Sequence, residues 1–136
     1  MAELGTPRTM AYKWLRAVPM GLFTGVHCDL TYFPQLREEQ LLTAWIPFGA
    51  YDAAHGGMSV ARGSHKDEVR AVAALGDDGT RSGWICETPE EFEAGDWVRT
   101  STEPGDVIVL HPRVIHCTLA NTRPFCRISC DTRWTS

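Results

Sequence analysis

Short runs with two-residue alternation, broken by turn residues, dominate this chain, and helical periodicity is weak almost everywhere. Strands are predicted near Tyr12–Ala17, Gly25–Thr31, Leu41–Phe48, Gly57–Arg62, Trp97–Thr102, Asp106–Leu110, Val114–Leu119 and Phe125–Thr132. Pro19-Met20-Gly21, Pro34, His55-Gly56-Gly57, Pro104-Gly105-Asp106, Pro112 and Pro124 mark the turns between them. Many short strands in 136 residues must close on one another to bury their apolar faces. The fold class this implies is an all-β, double-sheet jelly roll, one compact domain over 1–136 with little N-terminal helical region. The stretch from Lys66 to about residue 95 breaks the rhythm. Val69–Leu75 has the pattern of about two helical turns, and Gly76-Asp77-Asp78-Gly79 ends it. A long insertion of this kind suggests a lid, with Trp84 and Phe92 as its substrate-facing residues.

Composition narrows the function classes. A net charge of -4 without a basic run argues against nucleic acid as a partner. No apolar stretch approaches a membrane span, and the N-terminus lacks the apolar core of a signal peptide. Five Cys, none in a Cys-x-x-Cys pair, speak against a disulfide framework or a zinc knuckle. Cys28, Cys117 and Cys126 read as buried thiols, and a reducing, cytoplasmic setting fits.

Two residues in Val26-His27-Cys28-Asp29-Leu30 stand out. Side chains two apart on an extended strand share a face, so His27 and Asp29 can reach one metal ion while Cys28 points away. His116, in Val114-Ile115-His116-Cys117-Thr118, offers a third ligand. Two imidazoles and a carboxylate on one face of an octahedral metal match the non-heme Fe(II) triad. His111 is five residues from His116, an odd offset that favours opposite faces, and His55 reads as a solvated turn residue. His65 reads as hydrogen-bonded structure.

Arg127 lies eleven residues past His116, on an apolar run where alternation pairs it with Ser129 on one face. A guanidinium inside a barrel needs an anion beside it. A bidentate carboxylate from a ligand would satisfy it, and so would an internal acid such as Asp131.

Taken in order, His27-x-Asp29, Leu42-Thr43-Ala44-Trp45-Ile46-Pro47, Gly56-Gly57-Met58-Ser59-Val60-Ala61-Arg62-Gly63-Ser64-His65, Gly105-Asp106, His116 and Arg127-Ile128-Ser129 resemble the phytanoyl-CoA dioxygenase family. The resemblance spans roughly Tyr12 to Trp134. It implies a double-stranded β-helix and an Fe(II)- and 2-oxoglutarate-dependent dioxygenase, with O2 as co-substrate. Such an enzyme hydroxylates or otherwise oxidises an unactivated C–H bond of a small molecule and releases succinate and CO2. It implies that His27, Asp29 and His116 bind iron. It also implies that Arg127, helped by Ser129, grips the distal carboxylate of 2-oxoglutarate, with Trp45 and Thr118 beside the co-substrate. Lys13 or Trp14 on the first strand would face it too.

The chain departs from the family in its short N-terminal region. Three forms fit: a compact member, a gene fragment, or a homo-oligomer that completes its pocket by self-association. Two other functions compete, a non-catalytic jelly-roll homologue and a cupin-like metalloprotein that uses no keto acid. Arg127 argues against the second, because a cupin has no general need for a buried cation there. The acidic character of the predicted lid favours a neutral or cationic substrate.

Overall fold

The computed structural model describes residues 6–33, 41–66, 83–92 and 96–135. Eight strands follow one another: β1 (Arg8–Val18), β2 (Thr24–His27), β3 (Leu42–Pro47), β4 (Met58–Ala61), β5 (Trp97–Arg99), β6 (Ile108–Leu110), β7 (His116–Thr118) and β8 (Arg127–Thr135). They form two four-stranded sheets of order β1-β8-β3-β6 and β2-β7-β4-β5, with every pairing antiparallel. Each sheet therefore takes strands from both halves of the chain, which is the double-stranded β-helix arrangement of a jelly roll. All eight predicted strands are present. The second is shorter than alternation alone suggested, because the chain turns into a single 3-10 turn at Asp29–Tyr32.

Alternation sorts the long strand β8 into two rows. Asp131 and Arg133 line an interior cavity, and Arg127 and Ser129 share their row and are fully buried. Ile128, Cys130 and Trp134 occupy the outer row, where Trp134 is 39% exposed. Register carries this sorting to the neighbouring strands. Trp45 of β3 stands opposite Asp131, and Thr43 stands opposite Arg133. Trp45, Met58 and Leu110 form the apolar cluster between the sheets, with Val60, Ile108 and Val114 packed around it.

Part of the predicted insertion is tied to the β2 edge. The Ile85 N–H donates to the Val26 carbonyl at 2.6 Å, and the Val26 N–H donates to the Cys86 carbonyl at 2.9 Å. Trp84 packs on Phe23 at 5.7 Å between ring centroids, and Phe92 sits edge-on to Trp97 at 6.3 Å. Neither Trp84 nor Phe92 is among the residues that line the interior cavity. The predicted helix at Val69–Leu75 and most of the predicted lid lie outside the described residues. Among the described residues no helix is long and apolar enough to cross a membrane. Cys28 and Cys117 are buried as expected, whereas Cys126 is exposed, because it precedes β8 rather than lying within it.

Gly25 has no room for a side chain. A Cβ there would stand 2.5 Å from the Trp84 ring and 2.9 Å from the Cys86 carbonyl oxygen. The second contact is backbone and cannot swing aside. Gly25→Ala is therefore expected to lower stability by about 1–3 kcal/mol, the usual cost of overpacking. Chemical denaturation of the two proteins measures it, and an unchanged midpoint would show that the 84–86 segment does not hold this close packing in solution.

Candidate active site

His27 and His116 are 89 residues apart in sequence and directly opposite in the β2–β7 register. Their rings lie 4.3 Å apart between centroids. Cys28 keeps an extended backbone (φ -125, ψ 148), so the His27/Asp29 alternation holds although Asp29 begins the 3-10 turn. One ligand atom each from His27, Asp29 and His116 falls within 4.8 Å of the others, and all three residues are buried. The expected same-face geometry is thus present, with a turn in place of a continued strand.

Backbone hydrogen bonds fix both imidazoles. His27 Nδ1 lies 2.8 Å from the Gly25 carbonyl, and His116 Nδ1 lies 3.0 Å from the Val114 carbonyl. A carbonyl can only accept, so each Nδ1 carries the proton and each Nε2 keeps its lone pair for a metal. Burial, and then the neighbouring His116, push the His27 pKa down to about 3. The ring is neutral at neutral pH, the form a metal needs.

Asp29 is 1% exposed. Burial alone would push its carboxyl up. Its neighbours His116, Arg133 and His27 and the Thr43 hydroxyl outweigh burial and hold it below the usual carboxylate range. Arg133 Nη2 donates to Asp29 Oδ1 at 3.0 Å, and the Thr43 hydroxyl donates to Oδ2.

The cavity beside these three residues is lined on the β1–β8 side by Arg16, Asp131 and Arg133, and on the β3 side by Thr43 and Trp45. Thr24, Met58, Leu110 and Thr118 complete it. Thr118 Oγ1 accepts the Thr24 N–H at 2.8 Å, where the β2–β7 register slips by a residue. Among the described residues its hydroxyl proton has no acceptor. Arg16 Nε donates to Asp131 Oδ2 at 2.8 Å, and its guanidinium stacks over Trp14 at 4.7 Å. The β1 residue at the cavity is therefore Arg16. Lys13 pairs with Thr132 on the outer row, and Trp14 is 48% exposed beneath the Arg16 guanidinium. Asp131, named in the sequence only as an alternative partner of Arg127, was not read as a residue of the site, and Arg133, Arg16 and Thr43 escaped the sequence reading. The signal for the first two was present, since the Arg127/Ser129 alternation continues unbroken through Asp131 and Arg133.

Arg127 and Ser129 are both 0% exposed, and Arg127 Nη1 donates to Ser129 Oγ at 3.0 Å. The guanidinium carbon lies 5.5 Å from the Trp45 ring centre. Arg127 Nε and Nη2 have no hydrogen-bond partner among the described residues. Burial pushes the Arg127 pKa down to about 10, which still leaves it charged at neutral pH. The internal alternative, a pair with Asp131, is not formed, because Asp131 is taken by Arg16. A buried cation with two orphaned donors is costly unless an anion fills the place. A planar carboxylate fits that donor set.

The other histidines stand apart. His111 Nδ1 accepts the Arg113 N–H at 3.2 Å, and its ring lies 5.5 Å from His65. His55 is not simply solvated as expected. Its side chain is 19% exposed, bonded to Asp52 at 2.7 Å and packed near the Phe125 ring.

The family model for phytanoyl-CoA dioxygenase (PhyH) matches residues 7–129. The chain belongs to the phytanoyl-CoA dioxygenase family. It is 36% identical over 116 residues to a 1-deoxypentalenic acid 11-beta-hydroxylase of Streptomyces arenae, covering 81% of this chain and 40% of that protein. Among solved structures it resembles the non-heme alpha ketoglutarate dependent carbocyclase SnoK from nogalamycin biosynthesis. The TM-score is 0.71 at 25% identity, over 97% of this chain and 51% of SnoK. EvdO2 from Micromonospora carbonacea var. aurantiaca, in complex with 2-oxoglutarate, shares the fold with a TM-score of 0.75 at 18% identity, over 96% of this chain and 52% of EvdO2. The chain thus spans about half the length, or less, of these relatives.

Substituting Ala for His27, Asp29 or His116 is expected to abolish tight divalent-metal binding, while His111→Ala and His55→Ala retain it. Calorimetric titration with Co(II) checks this. Full affinity in His116→Ala together with loss in His111→Ala would move the site.

Proposed function

We propose that this chain is the β-core of an Fe(II)- and 2-oxoglutarate-dependent oxygenase that oxidises an unactivated C–H bond of a small organic molecule. The observation that carries the reading is Arg127, a buried cation whose Nε and Nη2 have no partner among the described residues. It shares the barrel with a His–Asp–His group able to hold a metal ion. A metalloprotein using no keto acid has no use for that cation. With iron and 2-oxoglutarate bound, O2 would be the oxidant, one of its oxygen atoms going into succinate as the keto acid loses CO2 and the other into the substrate C–H bond.

The chain's own residues bind, orient and shield. His27 and His116 would present Nε2 lone pairs, and Asp29 would add a negative charge that offsets part of the metal's. Arg127 would hold the distal carboxylate, with Ser129 keeping its Nη1 in place. Thr118 would donate its hydroxyl proton to the co-substrate. Trp45, Met58 and Leu110 give the cavity an apolar wall that keeps bulk water from the reacting centre.

Two relatives support a reading of the substrate class. One hydroxylates 1-deoxypentalenic acid, and another is a carbocyclase of nogalamycin biosynthesis. We assign this chain a substrate of the same broad kind, a small organic molecule of a biosynthetic route, acted on in the cytoplasm.

Replacing Arg127 by Met tests the assignment. Losing one partner of a desolvated charge pair costs about 2–5 kcal/mol, which is roughly 30-fold to several thousand-fold in affinity at about 1.4 kcal/mol per decade. The 2-oxoglutarate concentration needed for succinate formation is expected to rise by that factor, while the Fe(II) requirement stays near that of the parent protein. An unchanged 2-oxoglutarate requirement would remove Arg127 from the co-substrate site.

A further inference from the structure

Asp29 is held at both ends by donors from the opposite sheet. Arg133 Nη2 bonds Oδ1 at 3.0 Å, and the Thr43 hydroxyl bonds Oδ2. Thr43 and Arg133 are direct partners in the β3–β8 register, so the two donors stand side by side on adjacent strands. Both face the cavity, and Thr43 is 2% exposed. Asp29 itself belongs to the turn that follows β2 of the other sheet. A bond to each oxygen, from neighbouring points on one rigid sheet, fixes the carboxylate plane as well as its position. One bond would leave the group free to rotate.

We propose that Thr43 and Arg133 form a two-point clamp that restricts Asp29 to one coordinating oxygen, so that a keto acid can chelate the metal. This rests on the oxygenase reading above. A carboxylate can bind a metal through one oxygen or through both. An octahedral ion held by two imidazoles and one carboxylate oxygen has three positions left. A keto acid that chelates through two oxygens would use two of them and leave one. If Asp29 turned to offer both oxygens, one of those three positions would be lost. The turn requires both oxygens to face the ion equally, and the clamp prevents it by drawing Oδ1 towards β8 and Oδ2 towards β3. Thr43 and Arg133 are thus positioning residues that act through Asp29.

The clamp makes a prediction opposite to that of a support that merely steadies a ligand. Removing an ordinary supporting hydrogen bond weakens metal binding by about 10–100-fold. Releasing this clamp leaves metal binding unchanged or tighter, because a second oxygen becomes available, and weakens the keto acid instead. Thr43→Val is the cleanest variant, since it removes the hydroxyl without changing charge. Thr43→Ser keeps the hydroxyl and is expected to behave as the parent protein does. Arg133→Lys keeps the charge and shifts the donor, and it gives the same split if the Val variant does not fold.

The measurement is two titrations without turnover, Co(II) into the metal-free protein and 2-oxoglutarate into the Co(II)-loaded protein. Thermal melting checks each fold. In Thr43→Val, Co(II) affinity equal to or above the parent's is expected, with 2-oxoglutarate affinity at least roughly tenfold lower, a loss of about 1.4 kcal/mol. Unchanged 2-oxoglutarate affinity, or weakened Co(II) binding with normal 2-oxoglutarate affinity at saturating metal, would overturn the clamp and leave the oxygenase reading standing. A parent protein that binds neither Co(II) nor 2-oxoglutarate would overturn both.

Discussion

The antiparallel register between β2 and β7 is the constraint on which the candidate site depends. It sets His27 against His116 across 89 residues of chain, and Asp29 follows from the first of these by a single extended residue. A shift of one residue in that pairing would send the His116 ring to the opposite face of the sheet. Several features hold the register. Thr118 takes the Thr24 N–H where the pairing slips, the 84–86 segment covers the free edge at Val26, and each histidine is tied to a carbonyl two residues earlier.

Charge is placed along one face of β8 with comparable economy. Arg127, Asp131 and Arg133 alternate with Ser129 on the inward row. Asp131 is matched by Arg16, and Arg133 by Asp29. Arg127 alone in this row lacks an acid partner among the described residues. A buried, unmatched guanidinium costs several kcal/mol, so a fold retains one where a ligand supplies the missing charge. The same reasoning separates Arg133 from Arg127. Arg133 already faces a carboxylate of the protein, which makes it a support for Asp29 rather than an anchor for a ligand.

Much of this was legible in the sequence. Two-residue alternation located all eight strands, and it gave the shared faces of His27 with Asp29 and of Arg127 with Ser129. It failed where local geometry overrides the pleat. The strand ends at His27 because the backbone enters a 3-10 turn, and no residue there signals it. On β1 the face that turns inward is set by pairing with β8, which puts Trp14 and Arg16 opposite Asp131 and Ser129 in the inward row and Lys13 opposite Thr132 in the outer one. Pairings such as Arg16 with Asp131 and Thr43 with Arg133 depend on which strands become neighbours. That information resides in the topology and in no local pattern. Cys126 shows the limit of apolar context as a guide, since the residue beside a buried strand is itself exposed.

The central claim is that one place in this barrel holds Fe(II) and 2-oxoglutarate in contact with each other. Visible absorption under anaerobic conditions tests it most directly, because a keto acid chelated to Fe(II) gives a weak charge-transfer band that neither component gives alone. The band is expected when Fe(II) and 2-oxoglutarate are added together to the parent protein, and it should vanish in Asp29→Ala. A parent protein that binds both components yet shows no band would contradict a shared site.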